Sequence, residues 1–236
     1  LSSAGPWGRS SKGEPMELQV IPHKSIGPLS LGQTQEEVQE ALKGLYVSLT
    51  GQTPEFVREN AESQQPSAPD AVPSETVREL MERYGLQVPS NPAVLPVSRP
   101  IHRIEMIEER YSDTLSFRYT CGLFWFQAAY RDNRAAEISV DRLVREQMPV
   151  MLCGFDLFKT PADELIPALK EKSPCVCGTK DEELGYEYRF DALGLRFWRE
   201  DTFHPKLLKD ENYVREMAAV LEDQKRFRYF DTVTIY

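Results

Sequence analysis

The sequence predicts an α+β fold made of two diverged copies of one unit, a strand, a helix and an antiparallel meander. The chain has 236 residues, and 41% of them are hydrophobic, which is enough to form a core at this length. Segments 27–43 and 154–170 read GPLSLGQTQEEVQEALK and GFDLFKTPADELIPALK, and they match in constant register. An aromatic–Arg–aromatic motif, followed by Gly-Leu and then Trp, occurs at 117–125 and again at 188–198. Because both matches occur in the same order, they indicate an internal duplication.

Each copy is predicted to open with a short strand and to continue into an amphipathic helix. Residues 18–21 alternate apolar and polar side chains and stop at a proline, which is typical of a strand. Thr34 and Glu37 have the spacing of a capping box, so we predict that the first helix begins after Thr34. In the second copy we expect Thr160 to cap the helix and Pro161 to be its first residue.

The predicted meanders are rich in aromatic residues, which bury large areas and usually anchor the core between a sheet and a helix. The predicted strands are 115–119, 123–130, 135–140, 186–190, 195–199 and 231–236. We place Trp125 and Trp198 at equivalent positions of the two copies. We expect two pseudo-symmetric halves that pack closely together rather than one continuous sheet.

Insertions distinguish the copies and set the predicted domain limits. Residues 1–15 are rich in Gly, Ser and Pro, and we expect a disordered arm or a remnant of cloning. The first α+β repeat covers 16–145 and carries a large insertion at about 48–103. The second repeat covers 146–236, packs against the first and carries a helical insertion near 211–224.

The charge of the chain argues against nucleic acid and membranes as partners. Lys and Arg number 28 against 37 acidic residues, which gives a formal charge of −9. Such a field repels phosphate backbones and anionic lipid, and it attracts a basic protein. No run approaches the ~18 apolar residues that span a bilayer, and residues 1–15 lack the apolar region of a signal peptide, so we expect a cytoplasmic protein. The plain alternative is that acidity only keeps the protein soluble.

Residues that could carry chemistry do not form a catalytic or metal-binding pattern. The two closest cysteines, Cys175 and Cys177, form CxC rather than the CxxC of a zinc knuckle. None of the three histidines has the helical spacing of metal ligands, and no nucleophile elbow, P-loop or dinucleotide motif occurs. We therefore predict that the chain is not an enzyme and has no catalytic residue, metal or cofactor. A thiol enzyme that uses Cys121 or Cys153 is the alternative that this leaves open.

Segment 21–42, IPHKSIGPLSLGQTQEEVQEAL, resembles the IGPLxLGMTxxEV opening of a group of small uncharacterised bacterial proteins, with Gln33 in place of Met. Segments 150–170, 184–199 and 229–236 are also similar to that group. Members of the group resemble immunity proteins of polymorphic or contact-dependent toxin systems, which neutralise a toxin by binding it. The opening is also similar to that of tandem-repeat β-lactamase-inhibitor-like domains. Both resemblances imply a protein-binding role.

We therefore predict a non-catalytic binding protein, of the immunity type, whose partner is a protein and possesses a basic surface. Exposed loop carboxylates would meet that surface. The residues that we expect to contact the partner are Glu62, Asp70, Asp181, Glu182 and Glu183. The alternative is a small-molecule binding module with an aromatic pocket, which would be lined by Trp125, Tyr130 and Trp198.

Overall fold

A computed structural model of the chain describes residues 16–59, 102–111 and 114–236. Helices and two mixed sheets occur together in it, which confirms the α+β class. The expected arm at 1–15 and much of the predicted insertion lie outside the described residues.

The described residues form fourteen strands and four α-helices. The strands are β1 (Leu18–Ile21), β2 (Ser25–Ile26), β3 (Leu29–Ser30), β4 (Glu55–Glu59), β5 (Arg103–Tyr111), β6 (Thr114–Cys121), β7 (Phe124–Arg131), β8 (Arg134–Asp141), β9 (Val150–Leu152), β10 (Phe155–Asp156), β11 (Val176–Cys177), β12 (Glu187–Phe190), β13 (Leu195–Trp198) and β14 (Thr232–Ile235). The helices are α1 (Gln35–Thr50), α2 (Ala162–Lys170), α3 (Glu211–Met217) and α4 (Leu221–Gln224). Short 3-10 helices lie at 142–146, 182–184, 191–193, 205–209 and 225–228. The six predicted meander strands therefore correspond to β6, β7, β8, β12, β13 and β14.

The strands form a five-stranded and a nine-stranded sheet. The smaller sheet has the order β10-β9-β1-β2-β3, in which β1 and β9 are parallel. The larger sheet has the order β11-β12-β13-β14-β8-β7-β6-β5-β4, and only β4 and β5 are parallel in it. Because β14 pairs with β8, one continuous sheet runs through both halves, in place of the two separate sheets that we expected. This pairing removes an open edge from each meander. The duplication and the domain limits stay predictions.

Helix α1 begins at the predicted capping box. The hydroxyl of Thr34 accepts a hydrogen bond from Glu37 N at 3.2 Å, and the Glu37 carboxylate accepts one from Thr34 N at 2.8 Å. Gly51 ends the helix in the left-handed conformation and donates its N–H to Val47 O at 2.8 Å. The side chains that the helix buries in the core are Val38, Leu42, Leu45 and Tyr46.

Replacing Thr34 with alanine should lower the free energy of unfolding by about 1 kcal/mol, because an orphan amide of the first turn loses its partner. Urea unfolding followed by circular dichroism measures the change. Ser48→Ala is the matched control, since the Ser48 hydroxyl bonds only the Gly44 carbonyl within the same helix. Equal losses in the two variants would contradict a capping role for Thr34.

Helix α2 begins one residue later than predicted. Pro161, not Thr160, is the N-cap, because its ψ of 149° is extended and helical geometry starts only at Ala162. No side chain caps this end, although Asp163 and Glu164 place negative charge in the first turn, where the helix dipole favours it. The helix spans only nine residues, as its internal proline predicts.

The helix predicted near 211–224 is divided into α3 and α4. Neither piece fully buries a residue, and the apolar residues Val214, Met217 and Leu221 that suggested one helix are only half-buried. Since packing supplies most of the stability of a helix, the segment does not remain continuous.

Candidate protein-binding face

The two faces of the nine-stranded sheet differ in character. Along β7, buried residues such as Phe124 and Phe126 alternate with half-buried Trp125 and Gln127. The buried residues face the core and α1, where the rings of Phe124 and Tyr46 meet edge to face at 6.4 Å. We call the opposite side, to which Trp125 and Gln127 belong, the outer face.

One row of outer-face residues crosses seven strands, from β12 to β5. Its members follow from the strand registers, and the Phe126–Val140 pairing places Trp125 beside Asp141. In order, this tryptophan row consists of Glu187, Trp198, Thr232, Asp141, Trp125, Thr120 and Glu105. Trp198 is 43% exposed and Trp125 is half-buried. Because neighbouring strands are about 4.8 Å apart, the backbones of the two tryptophans lie about 14 Å apart, and each has a carboxylate as its direct neighbour.

Charges on this side of the sheet are largely paired with each other. The ion pairs are Arg118–Glu109, Arg196–Glu137, Arg189–Asp191 and Arg103–Glu105. In the tryptophan row, Asp141 and Glu187 form no ion pair with any other described residue. The row therefore presents two carboxylates without an ion pair to another described residue, one beside each tryptophan.

Asp141 has few partners because a neighbouring carboxylate takes the available ones. Asp231 forms an ion pair with Arg142 Nη1 at 2.7 Å and accepts a hydrogen bond from Glu200 N at 2.7 Å. Asp141 accepts one from Leu143 N at 2.8 Å. Burial raises the pKa of the Asp141 carboxyl, and the charge of Asp231 raises it further, although Leu143 N, Arg142 and Arg145 act in the opposite direction. Asp141 is thus a carboxylate whose charge the chain itself stabilises poorly.

A shallow cavity of about 150 Å³ lies beside the tryptophan row. Its lining residues are Thr114, Ser116, Gln127, Ala129, Glu137, Ser139 and Arg196. Gln127 Nε2 donates to Glu109 and to Ser116 Oγ, both at 3.2 Å, and the hydroxyls of Ser139 and Thr234 are 2.9 Å apart. These bonds hold the polar groups of the cavity in fixed positions.

The three residues predicted to line an aromatic pocket do not lie together. Trp125 and Trp198 share the outer face, whereas Tyr130 points into the core, where its ring lies 5.9 Å from that of Phe117. The reason is the alternation of a strand, which places residues 125 and 130 on opposite faces. The two tryptophans also occupy different places in their hairpins. Trp125 lies next to the tip of the β6–β7 hairpin, whereas Trp198 lies at the end of the β12–β13 hairpin that is far from its tip.

The acidic residues predicted to bind a partner are only partly described. Glu62 and Asp70 lie outside the described residues. Asp181 and Glu183 both accept hydrogen bonds from Lys206 Nζ at 2.6 Å, and Glu182 pairs with Lys170. The Lys206 ammonium holds the pKa of Asp181 and Glu183 below their ordinary values. The chain thus offsets part of the charge of this loop, and its role in binding stays a prediction.

A cleft of about 140 Å³ separates this loop from α2. His204 stands at its edge, where Nδ1 accepts from Lys206 N at 3.1 Å and Nε2 lies 3.8 Å from Glu183. Burial alone would raise the pKa of the Asp163 carboxyl, but two hydrogen bonds of 2.7 Å from Arg228 outweigh it and hold the pKa below its ordinary value. The residues lining the cleft are Ala162, Asp163, Ile166, Pro167, Lys170, Glu182, Glu183, Tyr188 and His204.

Sequence reasoning missed Arg199, which is fully buried beneath this loop. Its guanidinium donates to the carbonyl oxygens of Gly185 at 2.8 Å, Phe227 at 3.0 Å and Glu183 at 3.2 Å. Its charge lies 5.7 Å from the ring centre of Phe230. The sequence contains no signal for this role, because an arginine that ends a strand ordinarily points into solvent.

Of the two cysteines of the thiol-enzyme alternative, Cys121 is half-buried and Cys153 is exposed. Burial raises the pKa of the Cys121 thiol, and it raises that of Cys175 to about 11, so both resist forming the nucleophilic thiolate. Within the described ranges, no group of three or more His, Cys, Asp and Glu side chains could hold a metal ion. In the same ranges, no helix has the length and apolar character needed to cross a membrane.

The chain matches no model of a known protein family, no curated protein and no solved structure. Its own side chains are therefore the basis on which a function can be inferred, and the outer face carries the most informative of them.

Proposed function

We propose that this chain is a non-catalytic binding protein that covers a partner protein with the outer face of its nine-stranded sheet. The tryptophan row is the observation that carries the proposal. Trp125 and Trp198 lie on a face opposite the core, and Trp198 is 43% exposed. Tryptophan is enriched at protein interfaces and among the residues that dominate their energy, because it buries a large apolar area when a partner covers it.

The dimensions and rigidity of the face support the same conclusion. Seven strands at about 4.8 Å spacing span about 30 Å, which suits the ~800 Å² that each partner contributes to a standard interface. The ion pairs across the face fix its charged groups before a partner arrives. Such preorganisation lowers the entropy that association costs.

The formal charge of −9 and the resemblance of segment 21–42 support an immunity-type role, in which the chain neutralises a toxin by direct binding. An acidic inhibitor approaches a basic partner faster and can cover a basic active site. Such a protein would act in the cytoplasm, on a protein rather than on nucleic acid or a membrane.

Co-expression with the product of the adjacent gene tests the proposal. We expect the chain to restore growth to cells that this product harms and to purify with it as a stoichiometric complex. Trp198→Arg should abolish both effects, whereas Tyr186→Arg, which changes an exposed aromatic residue outside the row, should preserve them. A harmless neighbour that forms no complex would contradict the proposal.

A small-molecule binding role is the second candidate, and the cleft beside α2 is the observation that favours it. Its volume of about 140 Å³ suits a ligand much smaller than a drug-sized molecule. Lys170, Glu183 and His204 offer both signs of charge to such a ligand. A small charged metabolite that raises the midpoint of thermal unfolding of the wild type, but not that of His204→Gln, would support this role over protein binding.

A further inference from the structure

We propose that the tryptophan row binds two basic side chains of one partner, a lysine or arginine at each tryptophan–carboxylate pair, in an extended segment with basic residues at positions i and i+4. This inference rests on the proposed function and specifies the chemistry of the partner. The two pairs are Trp198 with Glu187 and Trp125 with Asp141.

Each pair combines the two features that recognise an alkylammonium or guanidinium group. An indole face attracts a cation by about 0.5–1 kcal/mol when exposed and by about 2 kcal/mol when a partner excludes water. The adjacent carboxylate accepts charge-assisted hydrogen bonds from the same group. Glu187 and Trp198 are direct cross-strand partners, so their side chains leave the sheet on the same face.

Neither of these carboxylates forms an ion pair with a described basic residue, although Arg142 and Arg145 lie near enough to Asp141 to lower the pKa of its carboxyl. The arginines of the next outer-face row, Arg118, Arg189 and Arg196, are each paired with another acid. Arg142, the residue after Asp141, directs its guanidinium to Asp231. The arginines nearest the row are thus paired with other acids, and a cation from a partner would compensate Asp141 and Glu187.

The spacing of the two pairs selects the conformation of the partner. Three strand intervals separate Trp125 from Trp198, which is about 14 Å. An extended segment advances about 3.3 Å per residue, so residues i and i+4 are about 13 Å apart and project to the same side. Residues i and i+2 are only about 7 Å apart and can reach one pair at a time.

The inference also predicts how a substitution at Asp141 affects the stability of the protein in the absence of a partner. Burial and Asp231 raise the pKa of its carboxyl, so the ionised form destabilises the free fold at neutral pH. Asparagine can still cap Leu143 N, because its side-chain oxygen accepts the same bond. Asp141→Asn should therefore unfold at a temperature no lower than the wild type at pH 7 and yet lose affinity for a basic segment.

The test uses three synthetic peptides and the indole N–H signals in the NMR spectrum. The first is Arg-Thr-Ser-Thr-Arg, the second replaces both arginines with uncharged citrulline, and the third is Thr-Arg-Ser-Arg-Thr. We expect the first peptide to shift the signals of both Trp125 and Trp198, which single Trp→Phe variants assign. Its affinity should exceed that of either other peptide by at least fivefold.

Asp141→Asn and Glu187→Gln should each weaken binding of the first peptide at least fivefold, whereas Glu40→Gln, which changes an exposed acid on α1 outside the row, should not. Equal binding of the citrulline peptide, or unchanged binding by both row variants, would overturn the inference. If the adjacent gene product forms a stable complex whose affinity neither Asp141→Asn nor Glu187→Gln changes, this inference is wrong and the proposed function stands. Peptide binding of the expected pattern without any such complex would support the inference and remove the proposed function.

Discussion

Replacing Arg199 with methionine should lower the free energy of unfolding by about 3–5 kcal/mol, the largest loss that we expect from a single polar residue in this chain. Its fully buried guanidinium connects the loop at 183–185 to Phe227 through the carbonyl oxygens of Glu183, Gly185 and Phe227. Methionine can fill part of the space but donates no hydrogen bond, so these three carbonyls lose their partner inside the protein. Urea unfolding followed by tryptophan fluorescence measures the loss.

Arg189→Met is the matched control for this prediction. Arg189 lies in β12, the strand that pairs with β13 directly before Arg199. Its side chain is 47% exposed, and its ion pair with Asp191 lies on the surface. Such pairs contribute about 0–1 kcal/mol, so the control should remain close to the wild type. Arg199→Lys should lie between the two, because one ammonium keeps the charge but cannot reach three divergent carbonyls. Similar losses for Arg189→Met and Arg199→Met would contradict the role that we assign to the buried guanidinium.

The local signals in the sequence predicted the elements of the fold well. Aromatic residues located β6 and β7, turn residues 132–133 marked the start of β8, and the capping box located the start of α1. These signals act between residues a few positions apart, where strand alternation or a first-turn hydrogen bond is decided. Two predictions of this kind were wrong: one backbone angle at Pro161 moved the start of α2 by a residue, and the helix predicted near 211–224 is divided in two.

Contacts between distant segments were beyond sequence reasoning. The pairing of β14 with β8 joins residues about ninety positions apart in the chain, and no local pattern specifies it. The same pairing assembles the tryptophan row, because it brings Thr232 beside Asp141 and so places Trp198 in line with Trp125. Strand alternation alone could have placed Tyr130 and Trp125 on opposite faces of the sheet. The positions of Asp141 and Glu187 beside the tryptophans follow only from the register of all the strands.

The joint between the two sheets also depends on such a contact, at Gly194. This residue has a φ of 55°, and a Cβ atom added to it would overlap His23 Nδ1 and Tyr236 O. His23 lies in the turn between β1 and β2, and its Nε2 contacts the Ala192 carbonyl at 3.1 Å. Tyr236 cannot withdraw freely, since its N–H donates to Gly194 O at 3.0 Å. Glycine is therefore required for close approach as well as for its backbone angle.

Gly194→Ala should lower the free energy of unfolding by about 2–4 kcal/mol, whereas Gly51→Ala should lower it by only about 1 kcal/mol. Gly51 has a φ of 72° but no atom within 4 Å of an added Cβ, so it isolates the backbone strain from the overlap. Removing the ring should recover part of the larger loss, and the double variant His23→Ala/Gly194→Ala should therefore be more stable than the sum of the single changes predicts. If the losses are additive, the destabilisation by Gly194→Ala comes from the backbone angle or from the overlap with Tyr236 O. The close contact between residue 194 and His23 would then not contribute to it.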